Sequence, residues 1–229
     1  MLYAFTLGAV SQLSLILSGL VVFLVAVPKK VVGALAGFGA GALIAAVSRD
    51  LLPEAHVLRL IQSALWALVG ALAFIIGERL VDKKFGSEGA AGALGIVVGA
   101  IVDGVPESII FGIQLTSGQQ LSAAFIAAVF VSNIPQAIAP SADLAESGWN
   151  WRRVAALWSW VVLACGIAAV VGYGAGIATS AVNGSRMAAF AAGGILAMLS
   201  NSLIPFAHDR TDLAGLWTVV GFCASFVMT

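Results

Sequence analysis

The sequence predicts an all-α integral membrane protein of about eight transmembrane helices, and three observations support this prediction. Hydrophobic residues make up 61% of the 229 residues, charged residues make up 10%, and the mean hydropathy is +1.05. Soluble domains carry about 25% charged residues, so this much apolar surface requires lipid as its solvent. The apolar residues form long runs with short polar breaks, and two of these runs are related by an internal repeat. Such runs are too long for the strands of a membrane barrel, which leaves helices.

Eight apolar runs follow one another along the chain. Most of them reach the ~20 residues that a helix needs to cross the hydrocarbon core. The connections between them are short, so residues 1–229 are expected to form a single transmembrane domain. The predicted spans cover about residues 2–27, 31–55, 60–81, 89–115, 120–144, 152–178, 187–207 and 212–229.

The basic residues predict the orientation, because cytoplasmic loops of membrane proteins are enriched in Lys and Arg. One set of alternate loops is rich in basic residues and the other set is poor. The expected location is the cell (inner) membrane, and eight spans would place both termini on its extracytoplasmic face. The rich side carries Lys29, Lys30, Arg79, Lys83, Lys84, Arg152, Arg153 and Arg210, whereas the poor side carries Arg49, Arg59 and Arg186.

An internal repeat links the second predicted span to the seventh. Segment 40–56, AGALIAAVSRDLLPEAH, matches segment 192–208, AGGILAMLSNSLIPFAH, at eight of seventeen positions. The informative matches are Ser48 with Ser200, Pro53 with Pro205, and His56 with His208. The two copies cross the membrane in opposite directions in the predicted topology. An inverted repeat of this kind is a common construction of alternating-access transporters.

Two acidic residues lie in the middle of the fourth predicted span, in the sequence VDGVPESII. A charge at the bilayer centre costs about 2.5–3.5 kcal/mol, so Asp103 and Glu107 require an explanation. Their spacing of four residues places both carboxylates on one helix face. Pro106 cannot donate a hydrogen bond to the carbonyl of Val102, which leaves that oxygen free. Carboxylate and carbonyl oxygens together predict a cation site.

The fifth predicted span contains a related element, VSNIPQAI. Pro135 is expected to break this helix by freeing the carbonyl of Val131, and Asn133 and Gln136 can supply amide oxygens. Two broken helices with polar groups at midplane depth predict a transport site. The alternative is structural: Asp103 would be a protonated acid, and the two amides would bond neighbouring helices.

Four further residues are secondary candidates for metal ligands. Ser132 lies within the fifth-span element, although a structural role suits it better. Asp50 and Glu54 lie at the outer end of the second span, and Asp143 lies at the inner end of the fifth. Each of these acids could instead be a solvated helix end.

The paired proline elements resemble those of the ZIP (Zrt/Irt-like) family of metal-ion transporters. That family has eight spans in a 3+2+3 arrangement with an inverted repeat, and its fourth and fifth spans carry polar-x-Pro-Glu motifs that bind metal. The positions that match here are Asp103, Gly104, Pro106 and Glu107, then Ser132, Asn133, Pro135 and Gln136. The resemblance implies a divergent bacterial-type member with degenerate metal motifs.

The departures from the family pattern change the expected ligand chemistry. Asp103 replaces a histidine, Gly104 replaces an asparagine, and the fifth-span acids are reduced to Asn133 and Gln136. Zinc prefers nitrogen and sulfur ligands, whereas this all-oxygen set also suits Mn²⁺ and Fe²⁺. The resemblance implies transport of a divalent cation (zinc, iron, manganese or cadmium) towards the cytoplasm, with the ion as substrate and no organic cofactor.

Other functions remain as alternatives or are disfavoured. A transporter of the same fold that has lost metal selectivity could carry another small solute. An intramembrane enzyme is not expected, because His56 and His208 lie at helix ends on opposite faces. The two cysteines, Cys165 and Cys223, are interpreted as core residues. The zero net charge indicates no nucleic-acid partner, and the many small residues permit a homodimer.

Overall fold

A computed structural model describes residues 1–52, 58–85, 100–101, 104–105, 107–116, 123–178 and 181–228, for a few of them the backbone alone. All regular secondary structure within these ranges is helical, which confirms the predicted all-α class. The α-helices are α1 (Leu2–Ser11), α2 (Leu13–Val21), α3 (Lys29–Ala46), α4 (Leu60–Phe85), α5 (described at 100–101, 104–105 and 107–114), α6 (Ala123–Glu146), α7 (Trp151–Ala178), α8 (Ala181–Met198), α9 (Ile204–His208) and α10 (Ala214–Met228).

Six helical segments of the described chain are long and apolar enough to cross a membrane, so the chain is a multi-pass membrane protein. Ala214–Val227 is apolar but shorter, and most of the predicted fourth span lies outside the described residues. The count of eight spans and the full 3+2+3 arrangement therefore stay predictions. The six segments are Leu2–Val21, Lys29–Arg49, Leu60–Leu80, Ala123–Glu146, Trp151–Ala178 and Ser185–His208.

The internal repeat reappears in the backbone. Helix α3 ends in a π-helical turn, Val47–Leu51, and α8 ends in another, Leu199–Leu203. The residue numbers of both helices and both turns differ by 152, as in the sequence repeat. Pro205 follows the second turn and its ring displaces the carbonyl four residues earlier, which belongs to Asn201. A wider π turn accommodates that displacement.

The two repeat copies make equivalent contacts with neighbouring helices. Helix α3 packs along α10, and its repeat partner α8 packs along α4. A Cβ added at Gly41 would overlap the carbonyl oxygen of Thr218, and one added at Gly193 would overlap that of Ala67. Gly41 and Gly193 are repeat equivalents, so glycine permits the same close backbone approach in both halves.

The ends of the helices show that the repeat is inverted. A Cβ built on Gly33, near the start of α3, would lie 2.8 Å from Cβ of Arg210, just beyond the end of α9. At the other end of the same segment, the Arg49 guanidinium lies 4.7 Å from the ring centre of Phe226 in α10. Segment α3 therefore runs opposite to α8–α9, as the repeat predicts.

The predicted break at Pro135 is wrong. Helix α6 continues from Ala123 to Glu146 with both Pro135 and Pro140 inside it. Each proline removes one N–H donor, and the remaining hydrogen bonds of the helix and its packing against α2 and α3 keep it continuous. Helix α6 thus holds the polar residues of the fifth span on one uninterrupted element.

Candidate functional site

Glu107 is the predicted fourth-span ligand that the structure describes. It lies in helix α5 and only 2% of its surface is exposed. Asp103 and Pro106 lie outside the described residues, so the pairing of the two carboxylates on one helix face stays a prediction. A buried carboxylate is costly unless it has partners, and those partners indicate what the site can do.

The predicted fifth-span residues have different surroundings. Asn133 is buried with 3% of its surface exposed, whereas Gln136 is half-buried. Ser132 is fully buried, and its hydroxyl donates to the carbonyl of Val129 at 2.9 Å. A Cβ added at Gly39 of α3 would lie 2.6 Å from Cα of Ser132. Ser132 therefore joins α6 to α3 and its hydroxyl is already engaged, which favours the structural role.

Gln12 connects Glu107 to Asn133, and the sequence analysis missed it. Its Nε2 donates to Oε2 of Glu107 at 3.4 Å, and its Oε1 accepts from Nδ2 of Asn133 at 2.6 Å. Its side chain is fully buried. The signal was present in the sequence, because an amide in the middle of the first apolar run carries a desolvation cost. We call Gln12, Glu107 and Asn133 the buried polar chain.

The junction between α1 and α2 places Gln12 in this position. Its backbone has φ −97° and ψ 0°, between the two helices. Its N–H bonds to the carbonyl of Ala9 at 3.2 Å, and its own carbonyl accepts from Leu15 at 3.0 Å. Helix α1 packs on α7 and α2 packs on α6. The buried polar chain therefore joins the first helices, α5 and α6.

Gly104 leaves room beside Gln12. A Cβ at this position would lie 3.4 Å from Nε2 of Gln12 and 2.9 Å from Sγ of Cys165. The Cys165 thiol is free and buried, as the sequence predicted for a core residue, and it lies next to the site. Cys223 is exposed, so the same prediction is wrong for that residue. Any larger residue at position 104 would press on these two side chains.

The buried polar chain offers a cation oxygen atoms on three elements. A carboxylate accepts hydrogen bonds only, and amides present one oxygen each. The contact from Gln12 to Glu107 is long for a charge-assisted hydrogen bond, which is normally about 2.7–2.9 Å. With respect to the residues that the structure describes, Glu107 therefore has capacity left for a ligand. Among the residues that the structure describes, three His, Cys, Asp or Glu side chains do not meet in one group.

The secondary acidic candidates are not brought to this site by the described structure. Asp143 is exposed and lies ten residues beyond Asn133 on α6, roughly 15 Å along the helix. Burial lowers the pKa of Arg210, and the charges of Asp209 and Asp143 oppose this shift. Asp143 thus belongs to a polar helix end. The Asp50 side chain and all of Glu54 lie outside the described residues.

A second carboxylate with amide and hydroxyl partners was also missed. Glu78 of α4 is half-buried and accepts from Nδ2 of Asn201 at 3.0 Å and from Oγ of Ser202 at 2.6 Å. Both donors lie on the π turn of the second repeat copy. Glu78 therefore fastens α4 of one half to the turn of the other half.

The fold defines the class of the protein as an all-α, multi-pass membrane protein with an inverted internal repeat. No protein-family model and no curated protein matches the sequence.

Proposed function

We propose that the protein is a ZIP-like membrane transporter that moves a divalent metal cation towards the cytoplasm through a site at Glu107. The observation that carries this proposal is a buried carboxylate that has one long contact among the described residues and lies in a polar chain between three elements. Acids at membrane depth usually mark an ion or substrate pathway.

The fold is consistent with transport. The two repeat copies cross in opposite directions and exchange equivalent helix contacts. In transporters with inverted repeats, the substrate site lies near the midplane where the repeats meet. The residues proposed to form the site are Glu107, Asn133 and Gln136, together with Asp103 from the sequence prediction.

The cation class follows from the donor atoms. Carboxylate and amide oxygens suit Mn²⁺ and Fe²⁺, and they bind Zn²⁺ less favourably than histidine or cysteine does. Bound metal would be the substrate of the protein. The proposed location is the cell membrane, with cytoplasmic loops on the side rich in Lys and Arg.

Uptake into proteoliposomes tests the proposal. Wild type, Glu107→Gln or the matched control Glu78→Gln would be reconstituted into the bilayer of vesicles that contain a trapped metal indicator. We expect saturable uptake of Mn²⁺ or Zn²⁺ by wild type and by Glu78→Gln, and none by Glu107→Gln. Equal uptake by all three proteins would overturn the proposal.

A transporter of another small solute is the second candidate. It is favoured by the small residue at Gly104 and by a described polar chain in which two of the three side chains are amides. Asp103→Asn discriminates the two functions. Its loss of transport is restricted to metal ions under the first proposal, whereas under the second it extends to the other solute.

A further inference from the structure

The two ends of the Gln12 side chain face groups with fixed hydrogen-bonding character. An ionised carboxylate only accepts hydrogen bonds, so the NH₂ group of Gln12 faces Glu107 when Glu107 carries its charge, as in this structure. The oxygen of Gln12 then faces the NH₂ group of Asn133, at 2.6 Å. The orientation of both amides is therefore determined by what occupies Glu107.

A cation on Glu107 reverses this requirement. The neighbouring atom must then offer a lone pair, so the Gln12 amide would turn its oxygen towards the ion. Its NH₂ group would then face Asn133, which can turn in the same way and accept through its own oxygen. Both amide groups can therefore turn over together. The hydrogen bond between Gln12 and Asn133 is kept, with donor and acceptor exchanged.

We propose that Gln12 is a specificity-determining ligand of the cation site, with its amide oxygen contacting the ion that Glu107 binds. This inference rests on the proposed function. The unequal distances support it: the contact to Glu107 is 3.4 Å, whereas the contact to Asn133 is 2.6 Å. The weak end of the chain is the end at which an ion would enter.

The reversal needs little extra space, because the oxygen and the NH₂ group of an amide have nearly the same size and shape. Gly104 has no side chain beside Nε2 of Gln12, where a Cβ would lie 3.4 Å away. The side chain is fully buried, so water does not compete for the amide oxygen. Burial also makes position 12 sensitive to substitution, because an unpaired polar group there would be costly.

Replacing the amide oxygen by an imidazole nitrogen tests direct contact with the ion. Imidazole favours Zn²⁺ over Mn²⁺, whereas an amide oxygen suits Mn²⁺. Binding of Zn²⁺ and Mn²⁺ would be measured by calorimetry on purified full-length protein in detergent. The variants are Gln12→His, Gln12→Leu and Glu107→Gln, and the matched control is Gln114→Leu. Gln114 is a buried glutamine on α5, seven residues or roughly 10 Å beyond Glu107.

We expect Gln12→His to raise the ratio of Zn²⁺ to Mn²⁺ affinity at least tenfold, a gain that misfolded protein cannot produce. Gln12→Leu should weaken Mn²⁺ binding about tenfold, and Gln114→Leu should bind as wild type does. If Glu107→Gln abolishes binding while both Gln12 variants keep the wild-type affinities and ratio, this inference is overturned and the proposed function stands. If wild type binds neither ion, the proposed function and this inference both fail.

Discussion

The two carboxylates Glu107 and Glu78 differ in how completely the protein satisfies them. Glu78 is half-buried and accepts two good hydrogen bonds, at 3.0 and 2.6 Å, from a single π turn. Glu107 is almost fully buried, and among the described residues it receives one long contact of 3.4 Å. Glu107 is the more deeply buried of the two carboxylates, and its described hydrogen-bond contact is the longer one.

We propose that this difference separates a structural carboxylate, Glu78, from a cation-binding one, Glu107. Glu78 joins the two repeat halves, and its partners leave little for a ligand to add. Glu107 is buried away from water and has one long contact among the described residues, and we propose that a cation completes its partners. The following predictions compare the two residues.

The largest expected effect is on cation affinity. Glu107→Gln removes the negative charge from an isosteric side chain and should weaken Mn²⁺ or Zn²⁺ binding at least about 100-fold, close to 2.7 kcal/mol. Glu78→Gln should change the affinity less than threefold. Calorimetry in detergent measures both, and comparable losses in the two variants would remove the distinction.

The amide partners should show the same contrast with a smaller effect. Asn133→Ala deprives Gln12 of its hydrogen-bond partner and should weaken cation binding about tenfold, or about 1.4 kcal/mol. Asn201→Ala removes an equivalent donor from Glu78 and should leave the affinity unchanged. Calorimetry in detergent measures the cation affinity of both variants. Weaker binding by Asn201→Ala would connect Glu78 to the site.

Stability should respond in the opposite sense. Glu78→Gln weakens two hydrogen bonds to a charged group and should lower the free energy of unfolding by about 1–2 kcal/mol. Glu107→Gln removes a buried charge and should leave stability unchanged or raise it. Thermal or denaturant unfolding in micelles can be followed by tryptophan fluorescence. A large destabilisation by Glu107→Gln would show that its charge serves the fold.

A neutral hydrogen bond provides the scale for these comparisons. Nε1 of Trp158 donates to Oγ of Ser141 at 2.8 Å in a buried contact between α7 and α6. Ser141→Ala should cost about 1 kcal/mol of unfolding free energy without affecting cation binding. The control is Ser159→Ala, whose exposed hydroxyl bonds within its own helix. It should unfold as wild type does, and an equal loss in both variants would contradict the assignment.

The sequence predicted the helical class and the repeat because both leave strong signals. Long apolar runs indicate directly that lipid surrounds the helices. Ser48 and Pro53, with their repeat equivalents Ser200 and Pro205, mark the end of each repeat copy in the sequence. The π geometry of those turns left no such signal, since it depends on how the chain widens ahead of a proline. The break predicted at Pro135 is wrong, because the loss of one N–H donor has a smaller effect than the packing that keeps α6 continuous.

The site was predicted in part. Glu107 and Asn133 were found because charged and amide groups at midplane depth are costly wherever they occur. Gln12 was missed because it lies far from them in the sequence, and only the packing of α2 on α6 brings it between them. Glu78 was assigned no role because it lies near a helix end, where an acid is inexpensive.

Locating a bound ion tests the central claim most directly. Anomalous diffraction at the zinc edge from crystals grown with Zn²⁺ would show the position of the metal. The account predicts a peak about 2.0–2.2 Å from a carboxylate oxygen of Glu107 and on the Gln12 side of that residue. A peak at Glu78 with none at Glu107 would contradict the account.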